Sequence, residues 1–230
     1  MAAVEFRAVH APHRVGLLYG LEPQEIDLIL GAAKHRRCYA RSVMTYQAEP
    51  ADHLLLLWKG RARYFFETPN GKKLILRWIT PGDIFGGAAL VSRPSAYIVS
   101  TEAVRDSVVL IWDGTTIRAL ARRFPQLFEN ALFLAADYIS WYVAAHAALT
   151  SRTAEERLAH VLSELAPSIG QKVAGGIELD VTNEELANSA NITPYTTSRM
   201  ISDWQRSGAI RKHRGKILLR SPERFFLRVV

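Results

Sequence analysis

The stretch Thr182-Asn-Glu-Glu-Leu-Ala-Asn-Ser-Ala-Asn-Ile-Thr-Pro-Tyr-Thr-Thr-Ser-Arg-Met-Ile-Ser-Asp-Trp-Gln-Arg-Ser-Gly208 reads as two short helices joined by a tight turn. Thr182 with Glu185 is a capping box: the hydroxyl serves one free helix N–H and the carboxylate another. Asn191 to Thr193 leaves room only for a turn, and Thr193-Pro194 then supplies an N-cap followed by proline at the first helical position. The second helix is expected to stop at Ser207-Gly208. Leu186, Ala187, Ala190, Ile192, Thr197, Met200, Ile201 and Trp204 can form a small shared core. That leaves Tyr195, Thr196, Ser198, Arg199 and Ser202 outward on the second helix. Behind it, Ala209 to Leu219 reads as a two-stranded wing turning at Arg214-Gly215.

This arrangement suits duplex DNA. The second helix of a helix-turn-helix enters the major groove, and its first residues meet base edges. Arg199 can make a bidentate contact to guanine. Thr193, Pro194, Tyr195, Thr196, Ser198 and Ser202 complete the candidate contact set, with Lys212, Arg214 and Lys216 on the wing. From Arg206 onward, eight lysines and arginines face one acid, Glu223. Such a cluster is either a solvated tail or a phosphate-contacting surface, and the motif in front of it favours the second. The formal net charge of +7 agrees with an anionic partner without demanding one.

Upstream, the periodicity changes twice. Residues 1–15 show no period, and Gly20 to Leu30 reads as a short helix with Pro23 near its start. From about Cys38 to Asp113 the signal is β: strands are expected at Leu54–Trp58, Arg61–Phe66, Lys73–Ile79, Ser95–Ser100 and Ser107–Trp112, with a hairpin turn at Asn70-Gly71. Helix resumes near Thr115, and Pro125 opens a long one reaching about Leu149. Within it Leu127, Ala131, Leu134, Tyr138, Trp141, Ala145 and Ala148 recur at heptad spacing. That pattern favours a helix pairing with its own copy through Leu127–Ala148, with a helix buried against its own domain as the alternative. A capping box at Thr153 and Glu156 starts the next helix, ended by Pro167 and Gly170. The expected partition is a β domain over 1–114, connecting helices over 115–150 and a winged helix-turn-helix domain over 151–230.

Composition excludes several classes. The single cysteine, Cys38, rules out an intrachain disulfide framework and a cysteine-held iron–sulfur cluster. The first residues lack an apolar core of signal-peptide length, and no run approaches 18 consecutive apolar residues. The expectation is a cytoplasmic protein with no membrane span. No nucleophile–base constellation and no P-loop is present, so an enzyme is not expected.

Taken together, the chain resembles the Crp–Fnr family of bacterial transcription regulators over nearly its whole length. The resemblance rests on Leu17 to Leu21, on Pro81-Gly-Asp-Ile-Phe-Gly86 with Leu90, on the long helix, and on Thr193 to Arg199 with Ser207 to Ile210. It implies an α+β fold: an N-terminal cyclic-nucleotide-binding-like β-roll, a long dimerisation helix and a C-terminal winged helix-turn-helix. It also implies a homodimer on a palindromic site, with DNA and RNA polymerase as partners and a signal received in the β-roll.

Two departures bear on the signal and the site read. Where cyclic-AMP-binding members carry a glutamate, this chain has Gly87, and Pro94 stands before Ser95 where their arginine would be, with Arg93 one place early. A cyclic phosphate would lose its charge-assisted partner, so cyclic AMP is not the expected effector. Haem, which some relatives use, would need one of the seven histidines, and no His/Cys pair at metal spacing supports it. The candidate effector pocket is Gly86, Gly87, Ala88, Ala89, Arg93, Ser95 and Tyr97 with Tyr138, Trp141 and Tyr142, expected to admit a flat or apolar ligand. On the second helix, Tyr195 replaces the family's usual glutamate while Arg199 is retained. The alternatives are a constitutive regulator with a ligand-free β-roll, and a cyclic-nucleotide-binding signalling adaptor, for whose docking domain no residues remain.

Overall fold

The computed structural model describes residues 16–71, 73–93, 95–213 and 215–220. The chain forms two compact units. One comprises residues up to Glu67 with Arg77–Tyr142; the other comprises Thr68–Leu76 with the residues from Val143 onward.

The first unit begins with helix α1 (Pro23–Gly31), which has proline in its first turn and the Glu25 carboxylate accepting from the Glu22 N–H at 2.9 Å. Strands β1 (Lys34–Cys38), β2 (Val43–Thr45), β3 (His53–Lys59), β4 (Ala62–Glu67), β5 (Lys73–Ile79), β6 (Ile84–Phe85), β7 (Ser100–Ala103) and β8 (Ser107–Asp113) follow. They make two four-stranded sheets, ordered β1-β8-β3-β6 and β2-β7-β4-β5. Strand β3 lies between β8 and β6 and buries Leu54 through Trp58 without alternation, as a strand covered on both faces must. Its Leu54, Leu56 and Trp58 face a core shared with Leu17, Ile29, Trp112, Ile117, Leu127 and Ala131, so the helices pack on that side. The Asn70-Gly71 hairpin forms as expected: Gly71 sits at φ +77° and donates to the Thr68 carbonyl at 2.8 Å.

One strand is displaced from its expected place. Ser95–Ser100 is not a strand; it holds a single bridge, Pro50 to Ala96, and Ile98 is exposed. The strand is Ser100–Ala103, polar in sequence and buried throughout, where the Thr45 hydroxyl donates to Thr101 at 2.9 Å and Arg63 pairs with Glu102 at 3.3 Å.

Asp113 caps helix α2 (Gly114–Arg123), accepting from Thr116 N at 2.8 Å and Thr116 Oγ1 at 2.9 Å. Helix α3 runs Pro125–Ser151. The residues of the expected seam, Leu127, Ala131, Leu134, Tyr138, Trp141, Ala145 and Ala148, are all buried or half-buried within the single chain. Leu127 and Ala131 belong to the β-unit core, and Leu134 packs against it. The free apolar face is shifted by one residue: Phe128, Leu132, Ala135, Ile139, Tyr142, His146 and Leu149 keep the same heptad spacing and are exposed. Helical periodicity alone cannot choose between two interleaved heptads; the partners of the β unit do. Asn130 helps set this rotation, its amide donating to the carbonyls of Leu17 at 2.9 Å and Tyr19 at 2.8 Å.

Against the expectation from consecutive apolar residues, α3 is long and apolar enough by length and composition to cross a bilayer. Glu129, Asn130, Asp137, Ser140 and His146 interrupt its apolar run, which is why a search for unbroken stretches passes over it.

The second unit holds helix α4 (Ala154–Ile169), strands β9 (Gln171–Val173) and β10 (Gly176–Leu179), helices α5 (Asn183–Ala190) and α6 (Pro194–Arg206), and strands β11 (Ile210–His213) and β12 (Lys216–Leu219). The Thr153–Glu156 capping box opens α4, the Glu156 carboxylate accepting from Thr153 N at 2.6 Å. Pro167 does not end α4; the helix continues to Ile169, with Ser168 Oγ donating to the Glu164 carbonyl at 2.9 Å. The wing is part of a four-stranded sheet ordered β11-β12-β10-β9.

Candidate nucleic-acid interface

Helices α5 and α6 are built by their caps. The Glu185 N–H donates to Thr182 Oγ1 at 3.1 Å and the Thr182 N–H to the Glu185 carboxylate at 2.8 Å. Asn191 closes α5 in the left-handed conformation at φ 50°, which asparagine tolerates better than most residues. The Ile192 N–H returns to the Ala187 carbonyl at 3.0 Å, closing the turn. Thr193 then caps α6, accepting from Thr196 N at 3.1 Å. Thr197 Oγ1 donates to the Thr193 carbonyl at 3.1 Å, which accounts for a fully buried threonine.

Leu186, Ala187, Ala190, Thr197, Ile201 and Trp204 form the core between the helices, while Ile192 and Met200 lie at its margin, half-buried. Two side chains of α4, not foreseen from sequence, hold the pair in place. Trp204 Nε1 donates to Glu155 Oε1 at 3.1 Å, and Arg157 Nε donates to the Ala190 carbonyl at 3.0 Å. That guanidinium lies at the C-terminal end of α5, where the helix dipole favours a cation. Their only sequence signal is position, in the first turns of a capped helix.

The outward face of α6 presents Tyr195, Ser198, Arg199 and Ser202, all exposed, with Thr193 and Pro194 exposed at its start and Thr196 half-buried. Tyr195 is 78% exposed, unusual for a large aromatic side chain. Arg199 lies one turn beyond it on the same face. The wing cations differ among themselves. Lys212 Nζ reaches Asn183 Oδ1 at 3.3 Å and Lys216 Nζ is ion-paired with Glu178 at 2.5 Å, so Lys216 is the less available for phosphate. Arg214 lies outside the described residues.

In the first unit, Gly86 and Tyr97 meet at the His53 carbonyl, and Tyr138, Trp141 and Tyr142 form another group. Gly86 is required by its φ of +76° and by the His53 carbonyl, which a Cβ would approach to 2.3 Å. Gly87 and Ala88 follow on a short 3-10 turn, but Ala89 is a core residue. Arg93 and Ser95 are exposed on the loop toward β7, and the Tyr97 hydroxyl donates to the His53 carbonyl at 3.2 Å. Tyr138, Trp141 and Tyr142 do come together, around an arginine outside the expected set. Arg77, on β5, lies over the Tyr138 ring at 4.4 Å and the Trp141 ring at 5.6 Å, and Trp141 meets Tyr142 edge-to-face at 5.1 Å. The hydroxyls of Tyr138 and Tyr64 both donate to the Ile84 carbonyl, at 3.0 and 3.3 Å. Burial pushes the phenols of Tyr64, Tyr138 and Tyr142 upward, so all three are neutral donors. The place expected to be apolar therefore holds a permanent cation. Its signal in sequence was the lone charge inside Leu74-Ile-Leu-Arg-Trp-Ile79.

Among the described residues no group of three histidine, cysteine, aspartate or glutamate side chains is placed to hold a metal.

Comparison with known proteins agrees with this architecture. Residues 35–124 match the family model for the cyclic nucleotide-binding domain, and residues 156–225 match that for the Crp-like helix-turn-helix domain. A protein named Cyclic AMP receptor protein, from Thermus thermophilus, is 26% identical over 204 residues, covering 89% of this chain and 92% of its own. A CRP-like cAMP-activated global transcriptional regulator from Mycobacterium tuberculosis is 23% identical, covering 92% of this chain and 95% of its own. Among solved structures, FixK2 from Bradyrhizobium japonicum shares the fold with a TM-score of 0.75 at 22% identity, over 85% of this chain and 96% of that one. With a cyclic nucleotide-binding-like β-roll, a long helix and a Crp-like helix-turn-helix in one chain, the protein belongs to the Crp–Fnr family of DNA-binding transcription regulators.

Proposed function

We propose that the chain acts in the cytoplasm as a homodimer on a palindromic DNA site, answers a signal received in the β-roll, and passes it through α3 to the DNA-binding unit and so to RNA polymerase. The working division is the β-roll over 1–114, the connecting helices over 115–150 and the DNA-binding domain over 151–230. The observation that carries this reading is the outward face of α6, where Tyr195, Ser198, Arg199 and Ser202 are exposed and, among the described residues, make no side-chain hydrogen bond or ion pair except that of Ser202 to the Ser198 carbonyl at 2.8 Å.

The exposed heptad of α3 supports pairing with a second copy. A helix facing lipid is apolar all round, whereas α3 places Glu129, Asp137 and Ser140 outside its apolar stripe. Parallel pairing is the arrangement that serves a palindrome. A palindrome presents two half-sites about 34 Å apart, related by the same two-fold symmetry as a parallel pair.

The test is selection of a binding site from random duplexes, then titration of Arg199→Ala against the selected site. Loss of about 1–3 kcal/mol, with relaxed choice at one guanine, is expected. Wild-type affinity and unchanged sequence choice would remove Arg199 from the reading; no enriched sequence at all would remove the DNA-binding function itself.

A further inference from the structure

We infer that Arg77 is an anion-binding residue and that the β-roll site takes a planar monocarboxylate, an aromatic or conjugated acid, as its ligand. This rests on the reading of the β-roll as a sensor and gives that sensor a ligand class.

Among the described residues the Arg77 guanidinium makes no hydrogen bond to any acceptor; its contacts are the faces of Tyr138 and Trp141. Stacking uses the face of a guanidinium and leaves the N–H groups at its edge unspent. Those N–H groups keep access to solvent, and a bidentate carboxylate is the partner whose geometry matches that fork. The neighbouring hydroxyls do not compete for such a ligand, because Tyr64 and Tyr138 already donate to the Ile84 carbonyl. The same surroundings limit the charge. Asp83 shares this field, its carboxylate held by Thr80 N at 2.8 Å and Thr80 Oγ1 at 2.9 Å, and it opposes a second negative charge. One cation beside one fixed carboxylate suits a monoanion better than a phosphate dianion. The aromatic side chains of Tyr138, Trp141 and Tyr142 suit a flat body behind the charged head.

The experiment uses the full-length protein with benzoate as probe, benzamide as its neutral isostere and inorganic phosphate as the competing anion. Binding is read from tryptophan fluorescence and from the shift in melting temperature. Benzoate should bind saturably and at least about tenfold more tightly than benzamide or phosphate, a gap of about 1.4 kcal/mol. Arg77→Gln should erase the preference over benzamide, and Arg77→Lys should keep part of it, which separates lost charge recognition from lost folding. Equal binding of benzoate and benzamide, absence of saturable benzoate binding, or an unchanged preference in Arg77→Gln each overturns the inference. DNA binding by the same wild-type sample is measured in parallel: DNA binding without carboxylate preference defeats only this inference, and carboxylate preference without DNA binding defeats only the regulator reading.

Discussion

Truncating Ile139 to alanine should dissociate the dimer while leaving the single chain folded. Ile139 is 65% exposed and Leu132 is 63% exposed, so each has about two thirds of its surface still to cover. Complete burial of such a side chain is worth about 1.5–3 kcal/mol, which leaves about 1–2 kcal/mol to be gained per residue on pairing. A symmetric interface counts each residue twice, so Ile139→Ala should cost the dimer about 2–4 kcal/mol. That is roughly a 30-fold to 1,000-fold rise in the dimer Kd. Because the side chain is exposed in the single chain, its removal should change folding stability by no more than about 0.5 kcal/mol. Leu134→Ala, five residues earlier on the inward seam, should do the reverse. It opens space against Gly16, whose Cβ position lies 3.0 Å from Leu134 Cδ2, and should lower stability by about 2 kcal/mol with little change in Kd. Sedimentation equilibrium gives the association, and denaturant unfolding of the dilute, dissociated protein gives the stability. An unchanged Kd for Ile139→Ala together with dissociation of Leu134→Ala would refute the placement of the seam.

Three further outcomes follow from the local geometry. Tyr195→Glu should change the selected site: the exposed ring suits a thymine methyl, whereas a carboxylate accepts from the cytosine amino group, so selection should move from thymine to cytosine beside a retained guanine. Thr182→Ala removes the hydroxyl that accepts from Glu185 N and should cost about 1 kcal/mol, read in the unfolding of the DNA-binding unit. The two bonds from Thr116 hold the Asp113 carboxyl below the usual aspartate range. A depressed folded-state value means that its stabilisation is present above the unfolded-state pKa and is lost as pH falls through the folded one. A carboxyl NMR titration should therefore place Asp113 below an ordinary aspartate, and Asp113→Asn should flatten the acid limb of the stability curve.

The features legible in the sequence are those fixed by neighbours in the chain. Thr182 with Glu185 and Thr193 with Pro194 act within one helical turn, so their bonds could be read before any tertiary partner was known. The turn at Asn70-Gly71 is local in the same way. The features that escaped depend on distant partners. Strand β7 looks polar because Thr101 is answered by Thr45 and Glu102 by Arg63, each far away in sequence. Strand β1 is Lys-His-Arg-Arg-Cys, charged as an edge strand is expected to be, and carries no apolar alternation to announce it. Arg77 was passed over because its role comes from rings about 60 residues further along.

The two heptads of α3 also bear on how a signal could leave the β-roll. Consecutive residues of a helix point about 100° apart, so Tyr138 and Trp141 face the β-roll while Ile139 and Tyr142 belong to the free face. The Arg77 cluster thus touches the helix one residue away from the exposed apolar face proposed to meet the second copy, and the Trp141–Tyr142 edge contact joins the two faces directly. A ligand shifts an equilibrium only by the difference in its affinity for two states. One bound solely by the β sheets would be indifferent to any movement of α3. One held by Arg77 is not indifferent, because that guanidinium is itself stacked on α3: turning the helix changes the walls around the ligand and the packing of Ile139 and Tyr142 in the same motion. Repacking is easier in a seam that is not optimised, and this one sets small Ala135 and polar His146 among Phe128, Leu132, Ile139 and Leu149. On the proposed function, the position of the charge, rather than the presence of a β-roll, would make the sensor and the dimer face parts of one device.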